Sequence, residues 1–179
     1  MVTVRAMTGT DIEAVSAIRV TGWRTAYAGI VPRTWLERMT VEEDARERRR
    51  RFASAPGGVY DLVAVDARGA VVGWACLGPG PDEGAGTGTR TRTRTGELYA
   101  LYVLPALVGS GVGRTLIEAV HARARELGLG RLLLWVLEDN ARARRFYERA
   151  GYAADGAVQA DEYDGVSLRG ALPPGPLVF

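Results

Sequence analysis

The stretch LYVLPALVGSGVGRTLI, Leu101 to Ile117, runs from an apolar block through glycines at 109, 111 and 113 and back into apolar residues at helical spacing. It reads as a strand, a turn and a helix. Glycine inside a packed domain costs backbone entropy, so a cluster of it marks a place where something approaches the main chain closely. The first N–H groups of a helix have no partner within it and carry the positive end of its dipole. The turn therefore reads as an anion site. Oxygen atoms can reach the N–H groups between Val108 and Arg114, across Gly109, Ser110, Gly111, Val112 and Gly113, without meeting a Cβ at the glycines, and Arg114 adds charge. A diphosphate is the natural occupant. A tight turn with close helix–strand packing calls for the same glycines, so other segments must discriminate. Two familiar phosphate loops do not fit: the dinucleotide fingerprint wants glycine where Arg114 stands, and the nucleoside-triphosphate loop needs a Gly-Lys-Ser or Gly-Lys-Thr triplet that this sequence lacks.

A chain of 179 residues, 47% hydrophobic and 25% charged, has the composition of one globular domain, expected to span residues 1–179. The net charge of +2, from 23 basic and 21 acidic residues, argues against nucleic acid or an anionic membrane as the main partner. A single cysteine, Cys76, forms no internal disulfide, and with one histidine, His121, no metal is expected and Ser-His-Asp chemistry is poorly supported. The opening MVTVRAMTGTD lacks the features of a secretory leader and no apolar run approaches about 18 residues, so a soluble cytoplasmic protein is expected.

Along the chain, VTVRAM alternates like a half-buried strand, and Thr10 with Glu13 forms a capping box opening a helix with Ile12, Val15, Ile18 and Trp23 on one face. Thr40 with Glu43 opens a second, strongly basic helix through Arg46–Arg51, most simply a solvated face. VYDLVAVD and AVVGWACLG, joined by ARG, form a hairpin. The glycine-, proline- and threonine-rich segment at about 78–96 has little apolar to bury and is expected to be a flexible loop; its Thr-Arg units suit a solvated loop, a phosphate or acidic contact, or an extension of the next strand. ELYALYVL is then a strand, GRTLIEAVHARAREL a helix ending near Gly128, RLLLWVL one buried strand, NARARRFYERA a helix ending at Gly151, and the tail carries one strand near GVSLRG. The succession strand, helix, strand implies a parallel pair with a crossover helix.

Taken together, ELYALYVLPALVGSGVGRTLIEA and LLLWVLEDNARARRFYERAGY resemble the GNAT superfamily of acyl-CoA N-acetyltransferases, strongly from Glu97 to Tyr152 and more loosely in GWRTAYAGIVPRTWLERMT. The family writes its glycine turn as Arg or Gln, two residues, Gly, any residue, Gly or Ala. Gly111 and Gly113 match, while Val108 stands at the Arg or Gln position. Asn140, Ala143, Phe146, Tyr147, Gly151 and Tyr152 match the second motif in order and spacing, and Asn140 and Tyr147, seven residues apart, fall on one helical face.

The resemblance implies an α/β (α+β) fold with a mixed, mostly antiparallel sheet of six to seven strands, a central parallel pair and about four flanking helices. It implies acetyl-CoA as co-substrate and an acetyl group moved by direct attack of a primary amine of a small molecule or peptide. The glycine turn would cradle the coenzyme pyrophosphate. The backbone of Leu101, Tyr102 and Val103 would pair with pantetheine, with the Val103 N–H polarising the carbonyl, and Asn140 would hold the arm. Tyr147 would protonate or hydrogen-bond the leaving sulfur, and Glu97 would take the amine proton directly or through water. Glu97 reads equally well as a solvated strand-end carboxylate. Trp23, Tyr27 and Trp35 form either an acceptor wall or a core cluster. Two rivals remain: a non-catalytic acyl-CoA sensor of the same fold, and a nucleic-acid-associated protein using its arginine-rich segments. A homodimer is compatible with the resemblance.

Overall fold

In the computed structural model of the chain the described residues are 1–54, 57–81 and 94–171. The alternating segments near the amino terminus become strands β1 (Thr3–Ala6), β2 (Tyr60–Val65) and β3 (Val71–Pro79), followed by β4 (Thr95–Val103) and β5 (Arg131–Leu134). They lie in the order β1-β2-β3-β4-β5. Pairing is antiparallel from β1 to β4 and parallel between β4 and β5. The crossover between the parallel strands is helix α4 (Val112–Glu126), as the strand, helix, strand succession requires.

Both faces of this sheet are covered, because its strands carry apolar side chains on both sides. Leu62, Leu77, Leu98 and Leu132 pack with Leu116, Ile117 and Val120 of α4. On the other face, beneath α1 (Ile12–Ala26) and α3 (Val41–Ser54), Val63, Trp74 and Cys76 pack with Val15 and Ala45. The short helix α2 (Arg33–Arg38) follows α1. The carboxyl-terminal part adds β6 (Val136–Leu137), α5 (Ala141–Arg149), β7 (Val158–Tyr163) and β8 (Val166–Ala171). These three strands form a second antiparallel sheet in the order β6-β8-β7. The described residues thus hold five α-helices and eight strands, mostly antiparallel with one parallel pair, slightly more of each than the sequence suggests.

Four local expectations change. The box opening the first helix is Thr8 with Asp11, not Thr10 with Glu13: the Thr8 N–H and hydroxyl donate to Asp11 Oδ2 at 2.7 and 2.9 Å, and Arg5 grips the same carboxylate with two bonds of 2.7 and 2.9 Å. An intervening 3-10 turn, Gly9–Asp11, displaces the start. RLLLWVL is not one strand, because the chain changes sheets at Trp135. VQADEY is a strand, β7, although most of it is exposed and nothing alternates. Of the loop expected at 78–96, Gly78 and Pro79 pair with Glu97 and Gly96 in the β3–β4 ladder, and residues 82–93 lie outside the described ones. Half of the Thr40–Glu43 box forms as read, the Glu43 N–H donating to Thr40 Oγ1 at 3.2 Å, while the Glu43 carboxylate accepts the Thr40 hydroxyl at 3.0 Å.

Candidate active site

The two sheets part company along β4. Its parallel ladder with β5 ends at Leu98 opposite Leu134, and β6 pairs with β8 instead. From Ala100 to Val103, β4 is therefore paired with β3 on one side only, among the described residues. A bulge begins the opening: Leu98 lies opposite Leu77 and Ala100 opposite Cys76, leaving Tyr99 unmatched. Such an insertion bends a strand and increases its twist. The Leu104 N–H donates to Val72 O at 3.0 Å across the β3 side. Backbone groups alternate along a strand, so the N–H groups of Val103 and Leu101 face the open edge and that of Tyr102 faces β3. The Tyr102 ring lies beneath α1, stacked on Trp74 with centroids 6.0 Å apart.

A 3-10 turn, Pro105–Leu107, leads from the end of β4 into the glycine turn. Gly109 and Gly111 have φ of 96° and 98°, the left-handed region that a Cβ disfavours, and an added Cβ at either would meet nothing within 4 Å. Backbone conformation, not crowding, requires glycine at these two positions. The first rung of α4 is the Thr115 N–H to Gly111 O, 3.0 Å, so the N–H groups of Val112, Gly113 and Arg114 precede the ladder. Ser110 is engaged elsewhere, its N–H and hydroxyl both donating to Leu107 O at 3.1 and 2.6 Å. Val108 is exposed beside the turn, and Arg114 pairs with Glu118 at 3.5 Å on the solvent side. A helix start whose first N–H groups precede the ladder and have no backbone partner among the described residues has the stereochemistry to hold a phosphate group.

Helix α5 closes the other flank. Asn140 is its N-cap, with Oδ1 accepting the Ala143 N–H at 3.1 Å, so it precedes the helix and leaves its amide NH2 to donate elsewhere. Phe146 lies against the turn, near enough that a Cβ on Gly113 would sit 3.4 Å from its ring. Tyr147 packs edge-on against Phe146 and Tyr152, with centroids 5.1 and 5.8 Å away. Burial pushes the Tyr147 phenol well above its ordinary pKa, and Tyr27 raises it further. The proton therefore stays on Tyr147 at neutral pH. Tyr27 and Tyr102 are raised by burial as well, and Tyr27 acts on both Tyr102 and Tyr147, so the three phenols belong to one cluster.

Glu97 lies opposite Gly78 in β3 and Leu133 in β5, at the last laddered turn before the opening. Its neighbour Leu98 faces α4, so alternation directs Glu97 to the α1 and α3 face. Half-buried there, its carboxyl is raised above the usual range by desolvation. His121 is held by Tyr152, Nε2 to Oη 3.1 Å, and no group of side chains able to hold a metal occurs among the described residues. No helix of the described residues is long and apolar enough to cross a membrane.

Trp23, Tyr27 and Trp35 gather with Tyr163 of β7: Trp23 lies 4.7 Å from Tyr27 and 6.1 Å from Tyr163, and Trp35 lies 5.3 Å from Tyr163. Asp164, in the turn joining β7 to β8, accepts the Thr34 hydroxyl at 2.6 Å and pairs with Arg38, tying this hairpin to α2. Sequence reading missed Tyr163 and the unmatched Tyr99; a strand without alternation hides the first and a bulge has no composition signature.

Residues 23–152 match the model of the acetyltransferase (GNAT) family. The chain belongs to the GNAT acetyltransferase family. It is 33% identical over 140 residues to the uncharacterized N-acetyltransferase YuaI of Bacillus subtilis (strain 168), covering 78% of this chain and 74% of that protein. It is 39% identical over 111 residues to the mycothiol acetyltransferase of Propionibacterium freudenreichii subsp. shermanii, covering 62% of this chain but 32% of that longer protein. The fold is shared with a GNAT superfamily phosphinothricin acetyltransferase from Sinorhizobium meliloti, solved with AcCoA, at a TM-score of 0.72 and 22% identity over 98% of this chain and 88% of that one. As a GNAT member the chain is an acyltransferase dependent on acetyl-CoA.

Proposed function

We propose that this enzyme transfers the acetyl group of acetyl-CoA to a primary amine of a small molecule or peptide by direct attack. The observation that carries the reading is the continuity of the open β4 edge, facing outward at Leu101 and Val103, with the free N–H groups that open α4 and with the protonated Tyr147 alongside. The turn at Gly109–Arg114 holds the pyrophosphate by main-chain donors, which do not require the Arg or Gln that Val108 replaces. Leu101 and Val103 align the pantetheine arm like an added strand, and the Asn140 amide donates to it. The Val103 N–H faces the carbonyl oxygen where negative charge develops, and the Tyr147 hydroxyl donates its proton to the departing sulfur. Glu97, raised by desolvation, is the final acceptor of the amine proton, reached through a file of waters because it stands six residues before Val103 along the strand. Aromatic residues Trp23, Tyr27, Trp35 and Tyr163 wall the acceptor side. Coenzyme A binding measured by calorimetry, followed by thiol release from acetyl-CoA across a panel of amines, tests the reading. Heat with the coenzyme and amine-dependent thiol release are expected. Binding without release from any amine would identify an acyl-CoA sensor instead.

A further inference from the structure

Helix α1 carries a buried glycine, Gly22, within its length. Glycine is a poor helix former, so a buried one inside a helix marks a close approach from outside it. Here the approach is made by Tyr102 of β4: a Cβ on Gly22 would lie 3.0 Å from Tyr102 Cδ1 and 3.8 Å from both Cε1 and Cγ. Contacts as short as the first are rare between real side chains, so an added methyl group would move the ring by a few tenths of an ångström.

The ring has little room to recede. Tyr102 stands directly opposite Trp74 in the β3–β4 ladder, and the two rings lie within 9° of parallel with centroids 6.0 Å apart. Trp74 is itself fixed: its Nε1–H donates to Asp61 at 2.8 Å, and the Arg48 guanidinium lies over its ring at 4.1 Å, held by Asp44 at 3.1 Å. What can give is the β4 main chain, which from Ala100 onward has a ladder partner on one side only, among the described residues. Tyr102 lies between Leu101 and Val103, whose N–H groups face that open edge. A shift of the ring is therefore passed to these two donors.

We propose that Gly22 is a positioning residue for acetyl transfer: by admitting the Tyr102 ring beneath α1 it sets the place of the open β4 edge, and with it the Val103 N–H that faces the carbonyl oxygen and the Leu101 N–H that faces the pantetheine arm. The proposal rests on the acetyl-transfer reading for the role of these two donors and on the packing of Gly22, Tyr102 and Trp74 for the rest. Main-chain donors stabilise developing charge only within a narrow range of distance. A displacement of about 1 Å can cost ~100-fold in rate, so a few tenths of an ångström corresponds to ~3- to 10-fold.

In calorimetry Gly22→Ala should weaken coenzyme A binding by ~3- to 10-fold and leave unchanged that of adenosine 3′-phosphate 5′-diphosphate, which has the pyrophosphate but no pantetheine arm. In the thiol-release assay with acetyl-CoA and the fastest amine of the panel, kcat should fall by ~3- to 10-fold with the KM for the amine unchanged. In a Tyr102→Leu background, where no ring meets the helix, the same substitution should cost nothing further in either measurement. Equal losses in the two backgrounds, equal weakening of coenzyme A and the nucleotide, or no loss at all in Gly22→Ala would overturn the role of Gly22. Should Tyr102→Leu not fold, the split between the two ligands in the single variant decides. No thiol release from any amine with the wild-type protein would overturn acetyl transfer, and the calorimetric split would then still decide whether Gly22 sets the β4 edge.

Discussion

Tyr147 and Glu97 share a physical cause of their shifted titration, burial, and in the proposed mechanism it serves opposite ends of the reaction. A desolvated phenol keeps its proton across the neutral range, which suits Tyr147 to the donor role proposed for it. Replacing it with Phe should lower turnover by about 10- to 100-fold and leave coenzyme affinity unchanged by calorimetry, because only a proton to sulfur is lost. Glu97 must be ionised to accept a proton, so kcat/KM should rise with pH through its pKa, and desolvation moves that limb above the usual carboxylate range. Glu97→Gln should reduce turnover by ~100-fold and abolish the limb, read in a kcat/KM profile against pH. Tyr147 is legible in sequence as a member of a spaced motif, whereas Glu97 reads equally well there as a solvated strand-end carboxylate. Their environment is not legible there: the phenol cluster of Tyr27, Tyr102 and Tyr147 joins α1, β4 and α5, segments up to 120 residues apart by the numbering, and no local pattern announces it.

At the scale of elements, the strand and helix of the glycine turn are readable because each has its own periodicity and glycines separate them. Gly111 should be the most sensitive position of the turn, since φ is 98° there and a methyl group would project into the open space before α4. Gly111→Ala should cost about 1–2 kcal/mol in a urea titration and weaken coenzyme A binding by ~10-fold. The opening of α1 was legible only approximately. Thr8-Gly-Thr-Asp11 and Thr10-Asp-Ile-Glu13 both have the spacing of a box, and the choice falls to Arg5 on β1, which clamps the Asp11 carboxylate. That clamp holds Asp11 well below the ordinary carboxylate range. Its contribution is complete above an unfolded pKa of about 3.9 and is lost as pH falls through the folded value. Asp11→Asn should therefore lower stability by ~1–2 kcal/mol near pH 7, and the difference should shrink below about pH 4, measured as urea midpoints. The run RLLLWVL shows a limit of a different kind. A buried strand is apolar whichever sheet it joins, so nothing in its residues reports the change of partner at Trp135.

That change of partner shapes the whole molecule. A four-residue parallel ladder, Thr95–Leu98 with Arg131–Leu134, carries the β-sheet link between the five-stranded sheet and the segment that leads to the three-stranded one. A ligand held at once by the β4 edge, the α4 N-terminus and Asn140 of α5 would brace the two parts across the opening. Binding to the folded state alone stabilises it by RT ln(1 + [L]/Kd), about 2.7 kcal/mol at a ligand concentration ~100 times Kd. For a chain of this length each kcal/mol raises Tm by roughly 2–4 °C, so saturating coenzyme A should raise Tm by about 5–10 °C. Adenosine 3′,5′-bisphosphate, which lacks both the pyrophosphate linkage and the pantetheine arm, should raise it much less. Equal shifts from the two ligands in differential scanning calorimetry would mean that the nucleotide end alone provides the stabilisation and that the opening between β4 and β6 is not bridged.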